Sequence, residues 1–237
     1  MKYFTKLFLP LCLTFDFASA SEQLILIVSD DFNNTHGVLS RYEKRRENFR
    51  QVGERVPVNL GRNGLAWGIG ESGFVPKTGE PVKREGDGRA PAGIFRISTA
   101  FGYARQIKTK MPYLQADKEL ICVDDSRSDD YNKILDINES SNPVSFEWMR
   151  RRDDLYKIGL VIGHNREAKK GAGSCIFFHI RKSEDAPTAG CSAMREEDLS
   201  TVIEWLDPAK NPKLVQIARS YCPQAEKLYK GVHCPAE

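Results

Sequence analysis

The sequence predicts a chain built mainly of β-strands with a minor share of helix, and three observations carry that expectation. Short apolar or β-branched runs recur at Leu24 to Val28, Ile94 to Ile97, Ile158 to Ile162, Ile176 to Ile180 and Lys213 to Ile217, each of strand rather than helix length. Turn formers punctuate the chain between them, as at Gly61-Arg62-Asn63-Gly64 and Pro91-Ala92-Gly93. Helical spacing of apolar residues is confined to two stretches, Ser145 to Tyr156 and Arg195 to Trp205.

Residues 1–20 read as a cleaved export signal: Lys2 and Lys6 precede the apolar run Leu7 to Phe17, and Ala18-Ser19-Ala20 has the small-x-small cleavage pattern. The run is shorter than the roughly 20 residues that cross a bilayer, so no membrane span is expected after cleavage. The remaining 217 residues are enough for one domain, here residues 21–217, with 218–237 as a tail. Removing Lys2, Lys6 and Asp16 with the signal leaves 33 basic and 31 acidic side chains, a balance that gives no footprint for nucleic acid. Lys44-Arg45-Arg46 and Arg150-Arg151-Arg152 read as solvated surface.

Each element has its own reason. Leu24 to Val28 is apolar throughout, which predicts a strand buried on both faces. From Gly37 to Leu60 an imperfect alternation predicts antiparallel strands, with a short helix over Arg41 to Phe49 as the alternative. Residues 76–90 form a polar loop ending in a turn at Pro91 that feeds a strand. The carboxylates from Asp124 to Asp130 lack the glycine and terminal glutamate of a calcium loop and read as a polar loop beside a cleft. Lys169-Lys170-Gly171-Ala172-Gly173 lacks the Lys-Ser/Thr and the helix of a phosphate loop.

The stretch Cys175 to Met194 carries the chemistry. A strand through Ile176 to Ile180 delivers His179 near its end, and Pro187 and Gly190 make a turn ahead of Cys191. Cys191 is expected just before the Arg195 to Trp205 helix, whose dipole would favour the thiolate. An exported chain pairs its thiols, and five cysteines follow the signal. Cys222 with Cys234 and Cys122 with Cys175 are the expected pairs, which leaves Cys191 free. Cys191 as nucleophile and His179 as base, with the amides of Cys191 and Gly190 as oxyanion donors, is the arrangement these residues permit. A disulfide-bonded Cys191 in a non-catalytic module, or a zinc site of Cys191, His179 and His164, are the alternatives, the second weakened by the absence of closely spaced ligand pairs. Trp67, in a glycine-rich loop, is a candidate cleft wall or a core-edge side chain.

His179 and Thr188-Ala189-Gly190-Cys191 resemble the active-site signature of the L,D-transpeptidase catalytic-domain (YkuD-like) family, in which a strand His precedes a Ser/Thr-x-Gly-Cys turn. Pro91-Ala92-Gly93-Ile94-Phe95 is similar to that family's Pro-x-Gly-x-Phe strand entry, and the likeness runs from about Leu24 to Ile217. The resemblance implies a mainly β fold with minor α, a sandwich or curled mixed sheet with a helix after the cysteine turn, and no metal or organic cofactor. It implies an exported enzyme of the periplasm or cell wall whose partners are peptidoglycan stem peptides. Cys191 would take the acyl group at the L,D bond of a tetrapeptide stem, with His179 as base, release of terminal D-Ala and transfer to an amine on another stem. Water as acceptor would make the same site a carboxypeptidase or wall-link hydrolase. His164, Asn165 and Arg195 are candidate substrate contacts, with strand capping and helix surface as the plain alternatives. Ala189 stands where many members carry a second His, and Ser192-Ala193-Met194 replaces the usual Arg or Asn after the cysteine.

Overall fold

The computed structural model describes residues 22–236; the signal-peptide reading of residues 1–20 lies outside the described residues. In chain order the elements are β1 (Gln23–Ser29), β2 (His36–Arg45), β3 (Asn48–Asn59), β4 (Leu65–Trp67), β5 (Ala90–Gly102), β6 (Tyr113–Gln115) and β7 (Leu120–Val123). They continue with β8 (Ile134–Asp136), β9 (Phe146–Trp148), β10 (Ile158–Ile162), β11 (Phe177–Ile180), β12 (Ser192–Met194), α1 (Glu196–Trp205), β13 (Lys213–Ala218) and α2 (Cys222–Leu228). The fold is mainly β, as expected.

The main sheet has ten strands and mixed direction, running β10-β11-β12-β3-β2-β1-β13-β5-β4, with β6 also on β5. Because β5 pairs with β10 as well as with β13, the sheet closes on itself into a barrel-like ring. A curled mixed sheet is therefore the architecture, and not two stacked sheets. β1 lies inside the ring, antiparallel to β2 and parallel to β13, and all seven of its residues are buried. That is why its sequence is continuously apolar: both faces pack against other elements. The β2–β3 hairpin turns at Arg46, the first residue of the turn, in a left-handed conformation. This excludes the helix alternative for Arg41 to Phe49.

Two expectations are corrected. Pro91 is the second residue of the long strand β5 and not part of a turn. Its carbonyl accepts from the Gln216 side chain, and the missing N–H leaves no gap in the ladder, because toward β4 the donor is the Ala90 N–H, to the Gly64 carbonyl, and β13 pairs with β5 only from Gly93 onward. Ser145 to Tyr156 is not a helix: Phe146–Trp148 forms β9 against β7, followed by turns through the arginine run. The i, i+3 match of Phe146 and Met149 is coincidental: Phe146 stacks with Trp148 on the outer face of β9, and Met149 is buried just after the strand. Together β8, β7 and β9 make a separate antiparallel sheet of three strands.

α1 buries Leu199, Val202 and Ile203, with Leu206 as its C-cap, and packs against β10 and β11. Glu196, Glu197 and Asp198 occupy its first turn, where the helix dipole favours negative charge. The tail wraps back onto the core: Tyr42 donates to the His233 carbonyl at 2.5 Å, and Cys222 is joined to Cys234. Ile27, fully buried in β1, sits at the centre of this packing. Ile27→Ala should lower the unfolding free energy by about 2–5 kcal/mol in urea titration, and a loss below about 1 kcal/mol would contradict the central placement of β1.

Candidate active site

Strands β11 and β12 run parallel, with His179 opposite Ala193 and Phe178 opposite Ser192. Continuing that register by one step sets Cys191 beside Phe177, so Cys191 and His179 project on the same face. Both line one cavity of about 320 Å³ together with Tyr156, Glu147, Lys83 and the backbone of residues 186–190. The disulfides are Cys122–Cys175 and Cys222–Cys234, and Cys191 is free.

The turn into Cys191 is pinned from several sides. Asn59 donates its side-chain N–H groups to the carbonyls of Ser183, Glu184 and Ala186 at 3.2, 2.7 and 2.9 Å. The Thr188 N–H donates to the Leu60 carbonyl and the Thr188 carbonyl accepts from Arg62, both at 2.8 Å. Thr188 Oγ1 donates to the Cys191 carbonyl at 2.7 Å and accepts from the Gly190 N–H at 3.1 Å. Gly190 has φ of +148°, and a Cβ there would lie 3.1 Å from the Arg89 carbonyl oxygen. Glycine is required at this position by conformation and by space. Its amide is already bonded to Thr188, which corrects the expectation that it serves as an oxyanion donor.

Cys191 Sγ accepts from the Phe177 N–H at 3.3 Å and contacts the Cys175 carbonyl at 3.5 Å. Burial pushes the thiol up to about 12; the charge of Glu147 adds to the rise, while the Phe177 N–H and Lys83 oppose it. The expected helix-dipole effect is absent because β12 separates Cys191 from α1, which begins at Glu196. His179 is pushed down to about 4, chiefly by burial, while its hydrogen bond to the Ile180 carbonyl opposes the fall. Nδ1 lies 2.8 Å from that carbonyl and so carries the proton, leaving Nε2 unprotonated. The resting site is therefore a neutral thiol beside a neutral imidazole.

The remaining sequence candidates lie elsewhere. Trp67 packs with Phe32 and Tyr221 at centroid distances of 5.6 and 4.8 Å and donates to Glu80, as a core-edge side chain. His164 accepts from the Ile69 N–H at Nδ1 and meets the Ala172 carbonyl at Nε2, so both nitrogens are engaged and neither is open to a zinc ion. Asn165 holds the carbonyls of Lys169 and Gly173. Arg195 is bonded to Asp198 on the exposed start of α1. None of these four side chains lines the cavity at Cys191. Residues that do, and that sequence reasoning passed over, are Lys83, Glu85, Asp124, Glu147 and Tyr156. Lys83 is 6% exposed and bound to Asp87 at 2.5 Å, and Glu85 accepts from Ser174 at 2.6 Å. Only Asp124 lay in a loop expected beside a cleft; Lys83 and Glu85 belong to the polar loop 76–90, and Glu147 and Tyr156 to the stretch expected to be helical, so no local signal marked them.

No family model, curated protein or solved structure compared with the chain matches it. The chemistry therefore rests on the geometry above.

The two buried imidazoles give the fold a pH dependence. His164 and His179 both fall to about 4 in the folded chain from 6.5, so between those values the unfolded chain binds more protons. Stability is lost as pH falls from about 6.5 toward 4. In denaturant titrations across that window, His164→Gln should give a stability slope about 1.4 kcal/mol per pH unit shallower than the parent chain. An unchanged slope would contradict a buried neutral His164.

Proposed function

We propose that this chain is an exported cysteine acyltransferase of the L,D-transpeptidase (YkuD-like) kind, acting on peptidoglycan tetrapeptide stems through an acyl-enzyme on Cys191. The observation that carries the reading is the free thiol sharing a cavity with an imidazole whose Nδ1 is fixed by its own strand's carbonyl. A disulfide-bonded Cys191, which the wall-binding alternative needs, is at odds with the pairing of the other four cysteines.

In this mechanism the Cys191 proton passes to His179 Nε2 as sulfur attacks the carbonyl carbon of the L,D bond. The Cys191 N–H is the candidate oxyanion donor, since that of Gly190 is engaged. Collapse of the tetrahedral intermediate breaks the C–N bond, and the imidazolium gives its proton to the departing amine of D-Ala. An acceptor amine then loses its proton to Nε2, attacks the thioester, and sulfur leaves to recover its proton. The backbone carbonyl of Ile180 holds the ring in one tautomer throughout, so no carboxylate partner is required. The cavity's mixed lining, with Lys83, Arg62 and Arg151 beside Glu85 and Asp124, suits a stem peptide bearing both carboxylates and amines.

Incubation with disaccharide-tetrapeptide should release D-Ala and add the acyl mass to Cys191. Cys191→Ala should abolish both, and His179→Gln should slow acylation by about 10²- to 10⁴-fold. Absence of D-Ala release by the parent chain would overturn the reading. Product analysis with an amine acceptor present and absent separates transfer from hydrolysis.

A further inference from the structure

Tyr156 stands at the nucleophile and has no task in the proton transfers above. It is 4% exposed and lies just before β10. Its ring packs at 5.5 Å from Phe177 and 5.3 Å from His179, and the Arg151 guanidinium sits 5.0 Å from its centroid. Its hydroxyl meets Glu147 Oε2 at 2.6 Å, and Tyr156, Glu147 and Cys191 line the same cavity, with Tyr156, Phe177 and Cys191 in one buried cluster. One phenol thus holds a carboxyl group and shares its cavity with the Cys191 sulfur.

The two possible partners compete for one proton. When Glu147 is ionised, the phenol O–H donates to the carboxylate and the sulfur receives nothing from it. When Glu147 is protonated, its own O–H can donate to the phenol oxygen, and the phenol proton is free to turn toward Sγ. The groups facing Glu147 are Tyr156, Asp124, Arg151 and Glu85; burial holds its carboxyl above the usual range, Asp124 and Glu85 add to that, and the Tyr156 bond and Arg151 oppose it. Glu147 is also fixed in place: it pairs with Cys122 across β7 and β9, Cys122 is bonded to Cys175, and the Cys175 carbonyl touches Sγ.

We propose that Tyr156 is a third side chain of the nucleophilic centre, donating a hydrogen bond to the Cys191 sulfur as the thiolate forms, and that Glu147 is the positioning residue whose protonated form frees the phenol proton for this. The sulfur's electron pair accepts the phenol proton without taking it, so the transfer from thiol to His179 is unchanged in stoichiometry. The inference deepens the acyltransfer reading and rests on it only for the use to which the thiolate is put.

The test is the rate of iodoacetamide alkylation at Cys191, read by intact mass across pH on the mature chain, alongside acyl-enzyme formation with disaccharide-tetrapeptide. Thermal unfolding checks that each variant is folded. Tyr156→Phe should alkylate about 10- to 100-fold more slowly at pH 7.5. Glu147→Gln should stay within about threefold of the parent chain, because its amide N–H donates to the phenol oxygen as the protonated acid does. Glu147→Ala should resemble Tyr156→Phe. Alkylation of Tyr156→Phe at the parental rate, or Glu147→Gln falling as far as Glu147→Ala, would overturn the proposal. Alkylation needs no peptide substrate, so these outcomes are distinct from a failure of D-Ala release, which would remove the acyltransfer reading alone.

Discussion

The site depends on one constraint, the parallel pairing of β11 with β12 across a short crossover. Parallel neighbours ordinarily need a connection of a dozen or more residues, usually a helix. Here residues 181–191 make it without one, and the cost of ordering that loop is offset by Asn59, which takes three of its carbonyls, and by Thr188, which is bonded on both sides of its backbone. The pairing then places His179 and Cys191 on one face although they are far apart along the loop. Gly190 lets the chain enter β12 without collision with Arg89, so the thiol points into the cavity and not into the sheet.

A second constraint follows from the first. A nucleophile set within a sheet is desolvated, and the thiol and the imidazole are each driven to their neutral forms. The protein leaves little charge to recombine with water in the resting state. On the proposed reading, reactivity comes from groups that act only as charge develops: the Phe177 N–H already on sulfur, and Lys83 and Tyr156 in the same cavity. The small sheet of β7, β8 and β9 closes this pocket, and the Cys122–Cys175 bond ties it to the residue preceding β11 by two positions.

Much of this was legible in the sequence, for physical reasons that differ by element. β1 and β10 were readable because burial forces a nearly continuous apolar run, β13 from Leu214, Val215 and Ile217 around the buried Gln216, and α1 because its buried stripe has helical spacing. The cysteine pairing agrees with the expectation drawn from counting thiols, and the free Cys191 with it. β9 and β12 were not readable, since a strand of three residues has no alternation to show and exists only through its neighbours. Missing β12 is what placed Cys191 wrongly against a helix. The cavity walls were hidden for a related reason: Lys83, Asp124 and Glu147 belong to segments whose polarity reads as solvent exposure, and only the closure of the sheet brings them to one place.

The central claim is that His179 rests as a neutral imidazole with its proton on Nδ1, fixed by the Ile180 carbonyl, beside an un-ionised Cys191. The most direct measurement is long-range ¹H–¹⁵N correlation of the imidazole nitrogens in selectively labelled protein at neutral pH. The account predicts a protonated Nδ1 and an unprotonated, basic Nε2 for His179, unchanged in Cys191→Ala. An imidazolium signal that disappears in Cys191→Ala would show a resting thiolate–imidazolium pair and contradict it.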